Sequence, residues 1–387
     1  MPETFPNDEP RLSLVEAIHV RVPFRRPLLD ASGEYTHRRS WLLRVVDESG
    51  NQGLGEAALN PFAEDVTTAS LGALMREIAP GLAAGRLPVW ADLAAEGEPG
   101  RAAMASVDGA LASLRAARAA TSSATAGARA SAATSGGSVA VGAVIAFGGP
   151  DAGADAAEQA VRLGFETLKI RAGFERTTDQ LIDRVRAIRA AVGQGPRLRI
   201  DVAGAWDLDT AAERMQALES FRIEFVEQPL PAWDTIRHAT LRERTRVPVA
   251  LDESIDSEGA ARAALADGAA DVIVVKPARV GGQAATLRIA EAAAARGVAV
   301  VTGTYFESGV GIAAVLRVAA ALGALTRPGA TERAHGAATA GVLVHDLLVT
   351  PLPINKGRMA VPDSLALDED EVARYAIERF DAVGRNG

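Results

Sequence analysis

Five short apolar runs between Thr167 and Gly311 each end on a charged residue. They read TLKIR (Lys169, Arg171), LRIDV (Asp201), EFVEQP (Glu227), VALDES (Asp252) and VIVVKP (Lys276). Three of these ends, on successive runs, are carboxylates. If they share one rim, three like charges so close together need a cation to stay ionised. Oxygen-only donors select a hard divalent ion, so Mg2+ is expected at Asp201, Glu227 and Asp252, with Mn2+ as the alternative. Lys169 and Lys276 flank the trio and would set an ammonium on each side of a metal-held substrate. An amine beside other cations loses its proton more readily and can serve as a general base. The chemistry indicated is proton abstraction next to a chelated carboxylate, with the ion stabilising the negative charge that develops.

The spacing indicates what positions these residues. Lys169, Asp201, Glu227, Asp252 and Lys276 follow one another at 32, 26, 25 and 24 residues. A strand, a helix and two short loops take roughly 25 residues, so this is the rhythm of consecutive βα units. Runs of four or five aliphatic residues suit strands buried on both faces. Helical patterns follow: DAGADAAEQAVRL after VAVGAVIAF, TTDQLIDRVRAIRAAV after Lys169, DTAAERMQAL after Asp201, SEGAARAALADG after Asp252 and GGQAATLRIAEAAAARG after Lys276. VAVGAVIAF is expected to be the first strand and VAVVTGTY the seventh, with an eighth around Ala330–Ala334. Seven or eight such units close into a parallel barrel whose chemistry lies at the C-terminal strand ends. The fold class is therefore α/β, a modified TIM barrel of (β/α)7β type over residues 139–345.

A different unit precedes it. After a lead-in at 1–10 that reads as disordered, residues 11–130 alternate apolar and polar positions and then turn helical, which indicates an α+β capping domain. Asp47 to Asn51 is a polar turn between strands. Pro27–His37 and Gly55–Glu64 lack periodicity and read as loops, the first mobile. Ala119–Ser138 is small and polar and reads as a connector. The tail at 346–387 is expected to pack back on the capping domain.

A chain of 387 residues suits a barrel of about 250 plus a smaller partner. A net charge of −8 offers no footprint for nucleic acid or anionic membranes. The absence of cysteine excludes disulfides, a thiolate nucleophile and a cysteine zinc site. The polar, acidic start lacks an apolar signal segment, and no run of about 18 apolar residues occurs, so a cytoplasmic location is expected. The expected partner is a small-molecule carboxylate, and a homo-oligomer is compatible with the sequence.

The series LKIR, DVAGAW, VEQPL, LDES and VVKPARVGG resembles the enolase superfamily in its muconate lactonizing enzyme subgroup, over nearly the whole chain. The resemblance implies that Asp201, Glu227 and Asp252 hold magnesium and that Lys276 is the sixth-strand lysine. It places Lys169 and Arg171 on the two positions of a Lys-x-Lys motif. Arg171 departs from that motif; a guanidinium is a poor base and a good carboxylate clamp. Two-base proton transfer, as in racemases and epimerases, is thereby disfavoured, whereas one-base routes through Lys276 or Lys169 survive. Ala203 departs too, where the family commonly has asparagine. The stretch TGTYFESGVGIAAVLRVAAAL is similar to that of o-succinylbenzoate synthases, implying elimination of water on the way to menaquinone. Muconate-type cycloisomerisation is the second reading and N-acylamino acid or dipeptide epimerisation a third; a catalytically silent, metal- and carboxylate-binding barrel is the alternative of another class. Substrate contacts are expected from Tyr35, Phe62, Phe306, Glu307, Ser308 and Glu332, the last matching an eighth-strand acid.

Overall fold

The protein is described by a computed structural model over residues 11–30, 33–62, 64–125, 137–146, 148–325 and 332–384. The expected lead-in at 1–10 and most of the connector lie outside these residues.

The alternating N-terminal segment forms β1 (Leu12–Asp30), β2 (Gly33–Asp47) and β3 (Gln52–Ala58), followed by α1 (Glu64–Ala83), α2 (Trp90–Ala95) and α3 (Gly97–Thr125). Strands β1, β2 and β3 pair antiparallel in sequence order. Period-2 alternation sends Val15, Ala17, Trp41, Leu43, Val45 and Ala57 toward α1 and α3. The opposite set, Ile18, Val20, Val22, Phe24, Leu42 and Leu54, packs on the barrel side with Val310, Ala313 and Leu348. Both faces are buried, so the sheet is the wall between the two halves of the molecule. The Asp47 carboxylate closes the expected turn by accepting from the Ser49 and Asn51 amides, both at 2.9 Å. At Gly55 a Cβ would lie 1.9 Å from the Ser106 carbonyl, so glycine there lets α3 lie directly on β3.

Two loop expectations need correction. The antiparallel register continues through Leu28↔Tyr35, Leu29↔Glu34 and Asp30↔Gly33, so the Pro27–His37 stretch is the tip of a long hairpin. Gly55 to Ala58 belongs to β3, which leaves only the turn after it irregular. Paired backbone, not side-chain periodicity, holds both segments.

The second half alternates as expected. It runs through β4 (Ser138–Ala140), β5 (Ala143–Ile145), α4 (Pro150–Arg162), β6 (Thr167–Arg171), α5 (Thr178–Val192), β7 (Arg197–Asp201), α6 (Leu208–Leu218) and β8 (Ile223–Glu227). Then come α7 (Thr235–Arg244), β9 (Val249–Leu251), α8 (Glu258–Ala266), β10 (Val272–Val275), α9 (Pro277–Val280), α10 (Gln283–Ala294), β11 (Ala299–Thr302) and α11 (Gly309–Leu325). Strands β5 to β11 form one parallel sheet in sequence order. The eighth strand expected around Ala330–Ala334 lies partly outside the described residues; among those described, His335 and Gly336 bridge Val141 on one edge and Gly303 on the other. The expected first strand is likewise split, because β4 turns away to pair with β13 (Arg358–Ala360), itself paired with β12 (Ile354–Asn355). Finally α12 (Glu369–Tyr375) leads into β14 (Ala376–Val383), which adds to the free edge of β1 and ties the tail to the N-terminal sheet.

Inside the barrel, Phe225, Ala250, Val272, Val274 and Val301 form an apolar plug. Alternate residues on the same strands, such as Leu168, Ile200, Val226, Leu251 and Ile273, pack outward against the helices. The inward rows continue past the plug at a period of two: Phe225 to Glu227, Ala250 to Asp252, Val274 to Lys276. Strand geometry therefore carries the charged residues to one mouth.

Candidate active site

Register aligns the rim. Arg171 pairs with Asp201, and Asp201 with Glu227, across β6, β7 and β8. Glu227 pairs with Ala250, which brings Asp252 in two residues further on. The three carboxylates are all at most 5% exposed. The Lys169 ammonium stands between two of them, 2.9 Å from Asp201 Oδ2 and 3.0 Å from Glu227 Oε1. Arg171 donates to Asp201 Oδ2 at 2.6 Å. Lys276 Nζ donates to both oxygens of Asp252. The structure thus brings together all six residues expected to do the chemistry.

The electrostatics are set by burial and crowding. Burial and the two neighbouring carboxylates outweigh the lysines at Glu227, whose carboxyl is pushed up to about 8. Burial likewise opposes the charge of Asp201, but Lys169 and Arg171 overcome it and hold that carboxyl below its usual range. At Lys169 burial favours the neutral amine; Asp201, Glu227 and Asp252 together reverse this and raise its pKa. Lys169 is therefore a persistent ammonium in this arrangement.

Four further residues complete the mouth, none singled out by their sequence pattern alone. Gln228 is fully buried: its amide oxygen accepts from the Asp252 and Ser254 amides, and its NH2 donates to Leu230 O and Ser254 Oγ. This fixes the backbone of one carboxylate from the strand that carries another. Arg279 donates to Asp252 O at 3.2 Å and lies 5.7 Å from the Tyr305 ring centroid, with Lys276 Nζ at 5.4 Å over the same ring. Glu253 is pushed up to about 7, first by burial and then by Asp252, and among the described residues its buried Oε2 has no hydrogen-bond partner. A count of lysines would have sharpened the reading: the 41 basic residues include only three, and two of them are Lys169 and Lys276.

A hard divalent ion fits the donor chemistry of this mouth, with three buried, oxygen-only acids and an orphaned Glu253 oxygen beside them. Among the described residues no three acidic or histidine side chains converge tightly enough, as they stand, to hold an ion. Each carboxylate faces an ammonium or guanidinium instead, so an ion held here would take the place of lysine nitrogens.

The remaining expected contacts divide. Tyr35 donates to the Phe62 carbonyl at 3.3 Å and meets its ring edge-on at 5.1 Å, joining the hairpin tip to the turn after β3. Phe306 meets Phe24 edge-on at 6.2 Å, and its φ of 60° holds a bulky residue in the left-handed region. Ser308 and Glu307 are buried in the seam between the halves. Ser308 N and Oγ donate to Glu56, as does Gly311 N, while Glu307 accepts from Tyr305 N. Glu332 is not at the mouth. It pairs with Arg358, accepts from Ala140 N, and its carbonyl accepts from Arg197 at the start of β7. That is the opposite end of the barrel, reached because the chain enters the closing bridge from below.

A sequence profile described as "Enolase C-terminal domain-like" matches residues 152–369, more than half of the chain. An o-succinylbenzoate synthase of Thermobifida fusca is 39% identical over 218 residues, which span 56% of this chain and 64% of that protein. A chloromuconate cycloisomerase of Cupriavidus pinatubonensis is 29% identical over 379 residues, 95% of this chain and 99% of that one. Among solved structures, a probable mandelate racemase from Alicyclobacillus acidocaldarius superposes with a TM-score of 0.78 at 25% identity. That superposition covers 97% of this chain and all of the other.

Proposed function

This chain belongs to the enolase superfamily of enzymes, and from that premise we propose that it removes the proton α to a substrate carboxylate and eliminates water, as an o-succinylbenzoate synthase. The observation that carries the reading is the mouth itself: Lys276 on Asp252, facing Lys169 and Arg171 on Asp201. In a chain that uses arginine almost everywhere, its two site lysines mark places where a titratable cation is needed.

Asp201, Glu227 and Asp252 would hold a divalent ion, Mg2+ or Mn2+, which supplies positive charge to the substrate carboxylate when bound. The chain's own groups divide the remaining work. Lys169, between Asp201 and Glu227, offers positive charge to the substrate. Arg171 keeps its charge at any working pH and clamps a carboxylate. Lys276 is left as the base. It takes the α-proton, the C–H electron pair moves into the carboxylate, and its return expels the β-hydroxyl, which leaves as water with the proton Lys276 carried. One base suffices, so an arginine at the second motif position is no obstacle. Tyr35, Phe62 and Phe306 supply an apolar cover from the hairpin side.

Muconate-type cycloisomerisation is the second reading, favoured by the near-complete span shared with the cycloisomerase. Turnover assays with Mg2+ and the cyclohexadiene precursor of o-succinylbenzoate, beside cis,cis-muconate and N-acylamino acids, separate the two. Aromatic product from the first substrate alone supports dehydration; lactone from the second supports cycloisomerisation.

A further inference from the structure

The helices that follow β6, β7, β8 and β9 each carry their own N-terminal cap. Thr177, Asp207, Asp234 and Ser257 accept an amide of the first turn of α5, α6, α7 and α8. Helix α10, which follows the Lys276 strand, does not: its cap position is Gly282, with no side chain to offer. The missing acceptor comes from the other half of the molecule. Asp108 of α3 reaches across and accepts from the Gln283 amide and, at 3.2 Å, from the Ala284 amide. Seven residues earlier on the same helix face, Arg101 Nε donates to the Arg279 carbonyl at 2.9 Å. Gly282 has a φ of +102°, and a Cβ there would stand 2.6 Å from the Asp108 carboxylate, so a self-capping residue and this arrangement exclude each other.

We propose that Asp108 and Arg101 are positioning residues for Lys276, clamping the turn from Lys276 to Gln283 so that its amine stays aimed into the mouth. The inference rests on the reading in which Lys276 is the base. Lys276 is itself the cap residue of α9, and Arg279, two residues into that helix, donates to the Asp252 carbonyl. The turn therefore touches Asp252 twice, and α3 grips it on either side of Gly281. With φ at +102°, position 282 carries a side chain only under strain, so the cap of α10 has to be borrowed. The borrowed carboxylate does more, because it fixes the lysine relative to the domain whose hairpin covers the mouth.

The full-length protein tests this without a substrate. Its three lysines allow acetic anhydride labelling of Lys276 to be read by mass spectrometry against exposed Lys356. Asp108→Ala is expected to raise the Lys276:Lys356 labelling ratio about five-fold, the factor corresponding to loss of one cap, whereas Asp108→Asn, which keeps an acceptor oxygen, stays near wild type. Asp368→Ala, which removes the equivalent cap of α12 away from the mouth, lowers the melting temperature and leaves the ratio unchanged. On whichever panel substrate turns over, Asp108→Ala lowers kcat with KM unchanged. If Asp108→Ala behaves like Asp368→Ala in labelling, the clamp is overturned even where Lys276→Ala abolishes turnover. If Lys276→Ala keeps turnover, the underlying reading fails, while the labelling result still reports on the clamp.

Discussion

Replacing Arg171 separates one-base from two-base chemistry. Its guanidinium donates to Asp201 Oδ2 at 2.6 Å, and Asp201 is almost fully buried. A hydrogen bond to a charged group contributes about 1.5–3 kcal/mol. The Arg171 side chain is 32% exposed and Lys169 still reaches the same oxygen, so the lower end applies. A bond from Arg171 to the substrate carboxylate is of the same kind, so Arg171→Ala should lower kcat/KM for dehydration by about ten-fold to thirty-fold, at 1.36 kcal/mol per factor of ten. Arg171→Lys keeps the charge and should stay within about ten-fold of wild type. It also installs an amine that can lose its proton, so α-proton exchange on an N-acylamino acid should rise above the wild-type level. Steady-state kinetics on the cyclohexadiene precursor and proton NMR in D2O read the two effects. An alanine variant at wild-type rate would show the guanidinium to be idle. A lysine variant with no added exchange would show that Arg171 is not what bars second-base chemistry.

Three further outcomes follow from the same geometry. Glu307 is pushed up to about 7 by burial and the neighbouring Glu56, from an ordinary 4.5. A carboxyl raised on folding stabilises fully below its unfolded value and loses that contribution as pH rises through the folded one, so Glu307→Gln should gain about 3 kcal/mol on wild type between pH 4.5 and 8 in urea denaturation. Parallel pH profiles would refute the assignment. Ala203 is exposed with φ of 50°, a region costing an alanine about 1–2 kcal/mol; Ala203→Asn should raise stability by about 0.5–1 kcal/mol, and an unchanged melting temperature counts against strain there. Adding Mg2+ should speed acylation of Lys169 and Lys276 relative to Lys356, because an ion on the carboxylates displaces both ammoniums. Labelling that ignores Mg2+ would mean these acids do not host the ion.

The barrel was legible because its signal is covalent spacing. Short strands that place Lys169, Asp201, Glu227, Asp252 and Lys276 at or near their C-terminal ends bring inward-facing charges to one mouth, whatever the loops do. The pairing of the long hairpin was not legible, since backbone hydrogen bonds between Leu28 and Tyr35 leave no apolar pattern behind. Glu332 was misplaced because an acid near an expected strand says nothing about which end of the barrel it occupies. Gln228, Arg279 and Asp108 act through backbone groups of distant segments, and such bonds have no sequence period. The asparagine expected at position 203 from the resemblance has a physical reason: a left-handed backbone there suits asparagine better than alanine.

The central claim is that Lys276 takes a proton from carbon next to a carboxylate. Its most direct test is deuterium exchange at the substrate α-carbon, followed in D2O with Mg2+ for wild type, Lys276→Ala and Lys169→Ala. Exchange in wild type, abolished in Lys276→Ala and diminished in Lys169→Ala, is the predicted result. Exchange at the wild-type rate in Lys276→Ala would contradict it.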